Sequence, residues 1–330
     1  MTGRLLDTCD ALLVDLDGTV YRGGQAVPGV PAALDAVRDA GVAVRFVTNN
    51  ASRSPRVVAE HLTGLGIGAA PDEVSTSAQA GALVLAEHLD PGAEVLIVGS
   101  PALADEVAAV GLTPTDHAGP STAAVVQGLA QDLAYPLLAE ATIALRAGAF
   151  WVACNVDKTI PTERGLLPGN GALVAALQAA ADRDPVVAGK PAAPLMEASI
   201  KAAGAQSPLV VGDRLDTDIE GAAAVGIPAL FVLTGVDTPA SLLAAEPHRR
   251  PTHVAADLGG VFLPEHAVAV GPKDGWTVRD GRVTGGGDPL DLLRTLCAAV
   301  WSGQVTRVTP ADDAADRALT ALGLTAGEIG

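Results

Sequence analysis

The stretch VDLDGTV (residues 14–20) follows the apolar run 11–14 and places two aspartates, Asp15 and Asp17, on either side of one leucine. Side chains alternate along a strand, so both carboxylates face the same way if the chain stays extended. Two carboxylates about 4 Å apart repel by roughly 4 kcal/mol at an effective dielectric near 20. A bound Mg²⁺, which prefers oxygen ligands, would offset this repulsion. Alternatively, one carboxyl keeps its proton and acts as an acid.

Short apolar strands and helices alternate around this stretch. The pattern predicts strands at 11–14, 42–47, 209–211 and 229–233, and helices at 28–40, from 55 onward and at 216–225. A parallel sheet with helices on both faces is the fold that such alternation favours. In such sheets ligands bind beyond the carboxyl ends of the strands, which is where Asp15 and Asp17 lie.

A second α/β set interrupts the first. It has predicted strands at 94–98, 123–127 and 151–153 and predicted helices near 102–109 and from just after Gly169 to about 181. The predicted fold class is therefore α/β: a doubly wound, Rossmann-like parallel-sheet core with an inserted α/β cap domain and a small C-terminal appendage. The predicted boundaries are 1–77 and 186–262 for the core, 78–185 for the cap and 263–330 for the appendage.

The appendage has its own pattern. A hairpin turning at Asp280–Gly281 is predicted, followed by helices at 288–301 and 310–322. Its sequence carries no evident chemistry, so we expect a packing or dimer surface and include a homodimer among the predicted assemblies.

Composition excludes several classes of partner. The chain has 38 acidic and 21 basic residues, a net charge of −17, so it offers no basic field for nucleic acid or an anionic membrane. No apolar run approaches the roughly 20 residues of a membrane helix, and no signal peptide is evident. We therefore expect a cytoplasmic protein.

The three cysteines of the chain are far apart and form no CxxC pair, which argues against a zinc site or a disulfide framework.

The stretch VVGDRLDTDIEGA (residues 210–222) adds a second acidic group. Asp213 follows an apolar strand, and Asp216 and Asp218 lie near the start of the next predicted helix. We interpret Asp216 as a helix N-cap. Asp213 and Asp218 are candidate metal ligands, because four aspartates at strand ends of one sheet are too much uncompensated charge for a purely structural role.

Two further stretches indicate phosphate binding. FVTNNASRS (residues 46–54) brings the hydroxyl of Thr48, the amides of Asn49 and Asn50 and free backbone N–H groups to the start of a helix, an arrangement that suits a phosphate. VAGKP (residues 187–191) fixes the cation of Lys190 in a rigid turn. The alternatives are a polar turn for the first stretch and a surface lysine for the second.

The four motifs together resemble those of the haloacid dehalogenase superfamily, in the phosphatases with an inserted α/β cap. DLDGT, TNN, GKP and GDRLDTD occur in that order, with the insertion between the second and third, over roughly residues 8–260. Within the superfamily, TERGLLPGNG (residues 162–171) is similar to the glycerol 3-phosphate phosphatase type of actinobacteria.

The resemblance implies a role for each candidate residue. Asp15 would be the nucleophile that forms an aspartyl-phosphate, and Asp17 would protonate the leaving oxygen and then activate water. The implied Mg²⁺ ligands are Asp15, the backbone carbonyl of Asp17, and Asp213, with Asp218 holding a bound water or its neighbours. The implied phosphate-binding residues are Thr48, Asn49, Asn50 and Lys190. The candidate substrate contacts of the cap are Asn155, Asp157 and Arg164, each of which has an ordinary loop residue as its alternative.

We therefore predict a Mg²⁺-dependent phosphomonoester hydrolase for a small phosphorylated metabolite, with glycerol 3-phosphate as the first candidate. Phosphoglycolate, pyridoxal phosphate and sugar phosphates are the alternative substrates. A phosphoryl-receiver switch is the non-enzymatic alternative, because it also combines an acidic pocket, a threonine and a lysine on a parallel sheet. The large insertion and the acid–base candidate Asp17 argue against a switch.

Overall fold

The computed structural model describes residues 3–162 and 164–328. Its helices in chain order are α1 (Val30–Asp39), α2 (Pro55–Gly64), α3 (Ser77–His88), α4 (Pro101–Ala109), α5 (Tyr135–Arg146), α6 (Asn170–Ala181), α7 (Ala193–Ala203), α8 (Glu220–Ala224), α9 (Pro239–Leu243), α10 (Glu265–Val268), α11 (Pro289–Trp301) and α12 (Asp313–Ala321). Its strands are β1 (Ala11–Val14), β2 (Tyr21–Arg22), β3 (Gln25–Ala26), β4 (Ala43–Thr48), β5 (Val74–Thr76), β6 (Glu94–Val98), β7 (Thr113–Thr115), β8 (Thr122–Gln127), β9 (Phe150–Ala153), β10 (Thr159–Thr162), β11 (Gly165–Pro168), β12 (Val186–Val187), β13 (Pro208–Gly212), β14 (Ala229–Val232), β15 (His253–Ala255), β16 (Trp276–Arg279), β17 (Arg282–Gly285), β18 (Arg307–Pro310) and β19 (Gly327–Glu328).

The described residues group into two compact units. Unit 1 consists of residues 3–46, 65–68 and 203–328, and unit 2 of residues 47–64, 69–162 and 164–202. The boundaries predicted for the core, the cap and the appendage stay a prediction.

The sheet of unit 1 is parallel, as predicted. Its strands run in the order β15-β14-β13-β1-β4. All of β1 is buried, as expected for a strand covered on both faces. Val14 at the end of β1 lies opposite Val211 of β13, so these two strands end at nearly the same level. The polar residues that follow them therefore converge.

Unit 2 contains a second parallel sheet, in the order β12-β9-β8-β6-β7. Helices α5 and α6 contribute side chains to the hydrophobic core on one face of this sheet. Trp151 of β9, which is 2% exposed, lies in that core beside Leu145 and Leu177. β10 and β11 form an antiparallel hairpin next in the chain after β9. The predicted class of parallel sheets with flanking helices is confirmed.

The hairpin predicted in the tail is confirmed. β16 and β17 pair antiparallel around Asp280 and Gly281, whose φ angles are 49° and 74°; two successive positive φ values are what a type I′ turn requires. The tail sheet is larger than predicted, with the order β16-β17-β18-β19. The helix predicted at 310–322 starts later, at Asp313, because Asp312 caps it by accepting the Ala315 N–H at 2.8 Å.

Helix α11 of the tail is anchored within unit 1. Arg294 is 3% exposed, and its Nε and Nη2 donate to the carbonyl oxygen of Val254 in β15 at 2.9 and 2.8 Å. The indole Nε1 of Trp301 donates to the carbonyl oxygen of Leu242 at 3.3 Å. The tail thus packs against the parallel sheet rather than forming a separate body.

Candidate active site

Three carboxylates of unit 1 meet at the carboxyl edge of its sheet. Asp15 directly follows β1, and its N–H donates to the carbonyl oxygen of Val211 at 2.9 Å. Asp213 directly follows β13, and Asp218 lies in the turn after it. One carboxylate oxygen of each aspartate lies within 4.8 Å of the others. Asp213 and Asp218 are buried and Asp15 is partly buried. A buried set of carboxylate oxygens suits Mg²⁺, a hard cation.

Two donors of unit 1 hold the carboxylate of Asp213. Thr19 donates its hydroxyl to Oδ1 at 3.0 Å, and the Val236 N–H donates to Oδ2 at 2.7 Å. Two glycines make room for this carboxylate: a Cβ at Gly18 or Gly235 would lie 2.4 or 1.8 Å from Oδ2. Sequence reasoning missed the contact of Thr19, because its partner lies 194 residues further along the chain.

The turn that carries Asp218 is a π-helix, Leu215–Ile219, which leads into α8. The regular helix predicted from residue 216 therefore begins with a wider turn. The Arg214 N–H donates to Asp218 Oδ2 at 3.1 Å, and a Cβ on Gly212 would lie 2.4 Å from the Asp218 carboxylate. These contacts orient Asp218 toward the end of β13.

The interpretation of Asp216 as a helix N-cap is wrong. Its carboxylate accepts hydrogen bonds from Arg214 Nε and Nη2 at 3.0 and 2.9 Å. The Leu215 N–H is instead bound by Asp237 Oδ2 at 2.7 Å. Asp237, from a loop further along the chain, therefore has the capping role. Asp216 is paired with Arg214 and is not one of the three clustered carboxylates.

Asp17 is exposed and is not one of the three clustered carboxylates. Its Oδ2 accepts a hydrogen bond from the Tyr21 hydroxyl at 3.3 Å. The Gly18 N–H donates to the carbonyl oxygen of Tyr21 at 2.8 Å, which closes a tight turn directly after β1. An exposed carboxyl on such a turn can exchange protons with substrate and water, as an acid–base residue must.

Unit 2 brings Asn49 and Lys190 together. Asn49 Oδ1 accepts the Lys190 N–H at 2.8 Å, and Asn49 Nδ2 donates to the Lys190 carbonyl oxygen at 2.9 Å. Lys190 is 2% exposed, and its ammonium donates to the carbonyl oxygen of Val47 at 3.0 Å. Thr48 is buried, and its hydroxyl accepts the Asn50 N–H at 3.1 Å. The result is a buried ammonium group on a residue whose backbone is held by Asn49 at both its N–H and its carbonyl oxygen.

The loop after β9 joins this group. Asn155 is 5% exposed, and its Nδ2 donates to the carbonyl oxygen of Asn49 at 2.7 Å. The Asp157 carboxylate lies 3.3 and 3.4 Å from Asn49 Nδ2. Two residues predicted as cap contacts therefore lie against a residue predicted to bind phosphate.

Two predicted residues lie at exposed positions. The Oδ1 atom of Asn50 accepts the N–H and the hydroxyl of Ser52 at 2.7 and 2.8 Å, so the side chain closes a local turn. Arg164, which directly precedes β11, is exposed. Their roles in binding phosphate and substrate stay a prediction.

Cys154 has no exposed surface. Burial raises the pKa of its thiol to about 12, so the thiol remains protonated at neutral pH and is a poor nucleophile. It shares a loop with Asn155 and Asp157.

None of the helices in the described residues is both long and apolar enough to span a membrane.

Comparison with known proteins decides the family. Residues 12–113 match the model described as haloacid dehalogenase-like hydrolase, and residues 187–261 match a HAD-hydrolase-like model. The chain is 50% identical over 308 residues to the D-glycerol 3-phosphate phosphatase of Mycobacterium tuberculosis, covering 89% of this chain and 86% of that protein. The chain belongs to the haloacid dehalogenase-like hydrolases. The family and enzyme class predicted from its sequence are confirmed.

Two other relatives of this hydrolase are named as enzymes that remove phosphate groups, a phosphatase and a 5'-nucleotidase. The chain is 36% identical over 254 residues to the acid sugar phosphatase of Staphylococcus saprophyticus, covering 76% of this chain and 96% of that protein. It is 34% identical over 255 residues to the 5'-nucleotidase YutF of Bacillus subtilis, covering 77% of this chain and 97% of that protein. These names agree with the predicted phosphatase activity, although their substrates differ.

Solved structures of the glycerol phosphate phosphatase from Mycobacterium tuberculosis are similar over nearly the whole chain. The magnesium complex has a TM-score of 0.93 and 48% identity, covering 98% of this chain and 100% of that one. The calcium complex has a TM-score of 0.94 and 47% identity, covering 98% and 99%. Residues 273–324 of the tail match a GCN5-related N-acetyltransferase-like domain model. The sequence analysis did not predict this similarity.

Proposed function

We propose that this hydrolase is a Mg²⁺-dependent phosphatase that converts glycerol 3-phosphate to glycerol and inorganic phosphate. The observation that carries the proposal is the 50% identity to the mycobacterial D-glycerol 3-phosphate phosphatase over 89% of this chain. A structure of the mycobacterial glycerol phosphate phosphatase in complex with magnesium supports the choice of metal.

The proposed reaction has two displacements at phosphorus. A carboxylate oxygen of Asp15 attacks the phosphorus, the ester P–O bond breaks, and Asp17 gives its proton to the leaving alkoxide. Asp17, now a carboxylate, removes a proton from water, whose oxygen attacks the aspartyl-phosphate. The P–O bond to Asp15 breaks, phosphate leaves, and both residues return to their starting states.

Charge neutralisation is the main electrostatic requirement of this reaction. We propose that Asp15, Asp213, Asp218 and the backbone carbonyl of Asp17 hold Mg²⁺, which supplies positive charge beside the phosphoryl group. The three-carboxylate cluster supports this assignment. Thr48, Asn49, Asn50 and Lys190 are the proposed phosphoryl-binding residues, and the buried ammonium of Lys190 supports that part.

Substrate choice is assigned to the cap residues Asn155, Asp157 and Arg164. Sugar phosphates and nucleotides are the second class of candidates, because relatives at 36% and 34% identity carry the names acid sugar phosphatase and 5'-nucleotidase. Phosphoglycolate and pyridoxal phosphate complete the set to be tested.

The test is phosphate release from this panel of esters and from 4-nitrophenyl phosphate, with Mg²⁺ and with EDTA, for the wild type and Asp15→Asn. We expect Mg²⁺-dependent turnover that is highest on glycerol 3-phosphate and absent in Asp15→Asn. Higher kcat/KM on another ester would refute the substrate. Continued turnover by Asp15→Asn would refute the nucleophile.

We further propose that the enzyme works in the cytoplasm and forms a homodimer. We expect it to bind neither nucleic acid nor an anionic membrane, because its net charge of −17 would repel both. Light scattering after size-exclusion chromatography tests the dimer: a mass near 33.0 kDa, that of one chain, would refute it.

A further inference from the structure

The turn Gly169–Asn170–Gly171 has no role in the proposed chemistry, yet it lies directly against the loop at residues 155–158. The Gly169 N–H donates to the carbonyl oxygen of Lys158, and the Gly171 N–H to that of Asp157, both at 2.9 Å. A Cβ on Gly169 would lie 2.2 Å from the Asp157 oxygen, and one on Gly171 would lie 2.1 Å from the Val156 oxygen. Only a residue without a side chain allows this approach.

Asn170 makes the third connection between the turn and the loop. It begins α6 and is 1% exposed. Its Nδ2 donates to the carbonyl oxygen of Asn155 at 2.7 Å and to that of Gln127 at 3.3 Å. Because both neighbours are acceptors, the amide must present its NH₂ group to them. A carboxylate or an apolar side chain could not satisfy these two oxygens.

From Asn155 the hydrogen bonds continue to the proposed phosphate-binding residues. Asn155 Nδ2 donates to the carbonyl oxygen of Asn49 at 2.7 Å. Asn49 in turn forms the two hydrogen bonds to the backbone of Lys190, at 2.8 and 2.9 Å. A continuous series of hydrogen bonds therefore leads from Asn170, through Asn155 and Asn49, to Lys190.

Asn170 is one of several residues of unit 2 that have a buried polar atom without a hydrogen-bond partner among the described residues. Asn170 Oδ1, both amide atoms of Gln127 and Trp151 Nε1 are buried without a hydrogen-bond partner among the described residues. Unpaired buried polar atoms destabilise a fold, and they call for an explanation other than stability. Violations of packing rules tend to occur at functional sites.

We propose that Asn170 is a positioning residue: it fixes Asn155, and through it Asn49 and Lys190, in the arrangement that binds the phosphoryl group. This inference rests on the proposed function, in which Asn49 and Lys190 bind phosphate. Asn170 itself need not touch the substrate.

The test compares Asn170→Ala with the wild type, using 4-nitrophenyl phosphate as substrate and inorganic phosphate as competitive inhibitor. We expect KM for the ester and Ki for phosphate both to rise, by roughly tenfold. A purely structural loss would reduce the amount of folded enzyme and hence Vmax, but would leave KM and Ki unchanged. Gln178→Ala is the matched control: it removes the hydrogen bond from Nε2 to Asp184 at 2.7 Å from the same helix and should change neither constant.

Asn170→Asp is the second variant, and it keeps the shape of the side chain if the alanine variant folds poorly. It turns carboxylate oxygens toward two carbonyl oxygens, so both constants should rise at least as far as in Asn170→Ala. Unchanged KM and Ki in the folded variants would overturn the proposal. A rise in KM alone, with Ki for phosphate unchanged, would show that Asn170 does not act through the phosphate-binding residue Asn49, and would also overturn the proposal. Turnover of glycerol 3-phosphate by the wild type is measured separately, so the proposed substrate can fail without deciding the role of Asn170.

Discussion

Replacing one carboxylate of the acidic cluster should stabilise the metal-free protein while abolishing its response to Mg²⁺. The change is Asp218→Asn. Asp218 is buried, and its carboxylate lies within 4.8 Å of those of Asp15 and Asp213. An asparagine has nearly the same shape, and its carbonyl oxygen can still accept the Arg214 N–H that Asp218 Oδ2 accepts at 3.1 Å.

The magnitude follows from the charges that Asp218 faces. Two unit charges separated by 4.8 Å repel by about 3.5 kcal/mol at an effective dielectric of about 20. At this largest separation in the cluster, the two other carboxylates together repel Asp218 by about 7 kcal/mol, and the donors and other charges around the carboxylates offset part of it. We expect a gain of about 2–4 kcal/mol. For a chain of 330 residues, about 1 kcal/mol shifts Tm by roughly 1–2 °C, so Tm should rise by about 3–6 °C.

Scanning fluorimetry in EDTA and in excess Mg²⁺ measures both parts of this expectation. The wild type should gain Tm on adding Mg²⁺, whereas Asp218→Asn should start higher and gain little. Asp216→Asn is the matched control: this aspartate belongs to the same turn but pairs with Arg214 at 2.9 Å, so the variant should keep the Mg²⁺ response and should not rise in Tm. A metal-free Tm of Asp218→Asn equal to or below that of the wild type would refute the reasoning, because it would show that the carboxylates do not repel.

Two further predictions concern other parts of unit 1. Arg294→Met should lower the free energy of unfolding by about 2–4 kcal/mol, because the buried carbonyl oxygen of Val254 and the Asp291 carboxylate lose their donors; urea unfolding measures this, and a change in KM instead would contradict a structural role. Burial lowers the pKa of His253, against the opposing effect of its hydrogen bond to Glu265. With the pKa lower in the folded than in the unfolded state, His253 contributes stability above about pH 6.5, and that stability is lost as pH falls through the folded value. Tm measured between pH 8 and 5 should therefore fall less in His253→Gln than in the wild type; parallel curves would argue against this assignment.

The sequence predicted the parallel sheet of unit 1 because its apolar runs are short, regular and separated by clear helix signals. It also predicted that Asp213 and Asp218 lie at the same edge of the sheet as Asp15. Residues just beyond the ends of neighbouring parallel strands lie close together whatever the details of packing. The bounds of β6, Glu94–Val98, were predicted to the residue.

Features that depend on contacts between distant segments were not predictable in this way. The hydroxyl of Thr19 reaches Asp213 across 194 residues. Asp237 binds the N–H of Leu215, 22 residues earlier in the chain, and so caps the turn that Asp216 was expected to cap. The short strands β18 and β19 have too few residues to show alternation, so the tail sheet could not be read from periodicity. The role of Asn170 appears only when the two carbonyl oxygens beside its amide are known.

The donors around the acidic cluster explain how its oxygens keep their positions in the fold. The Thr19 hydroxyl and the backbone N–H groups of Val236 and Arg214 donate to oxygens of Asp213 and Asp218 and so fix their positions. The oxygens are therefore already placed for a cation. A cation that binds there reduces the repulsion among the three carboxylates, and replacing one carboxylate should therefore weaken its binding. On this argument, Thr19→Val should disturb the position of Asp213 rather than its charge, whereas Asp218→Asn should change the charge and leave the position.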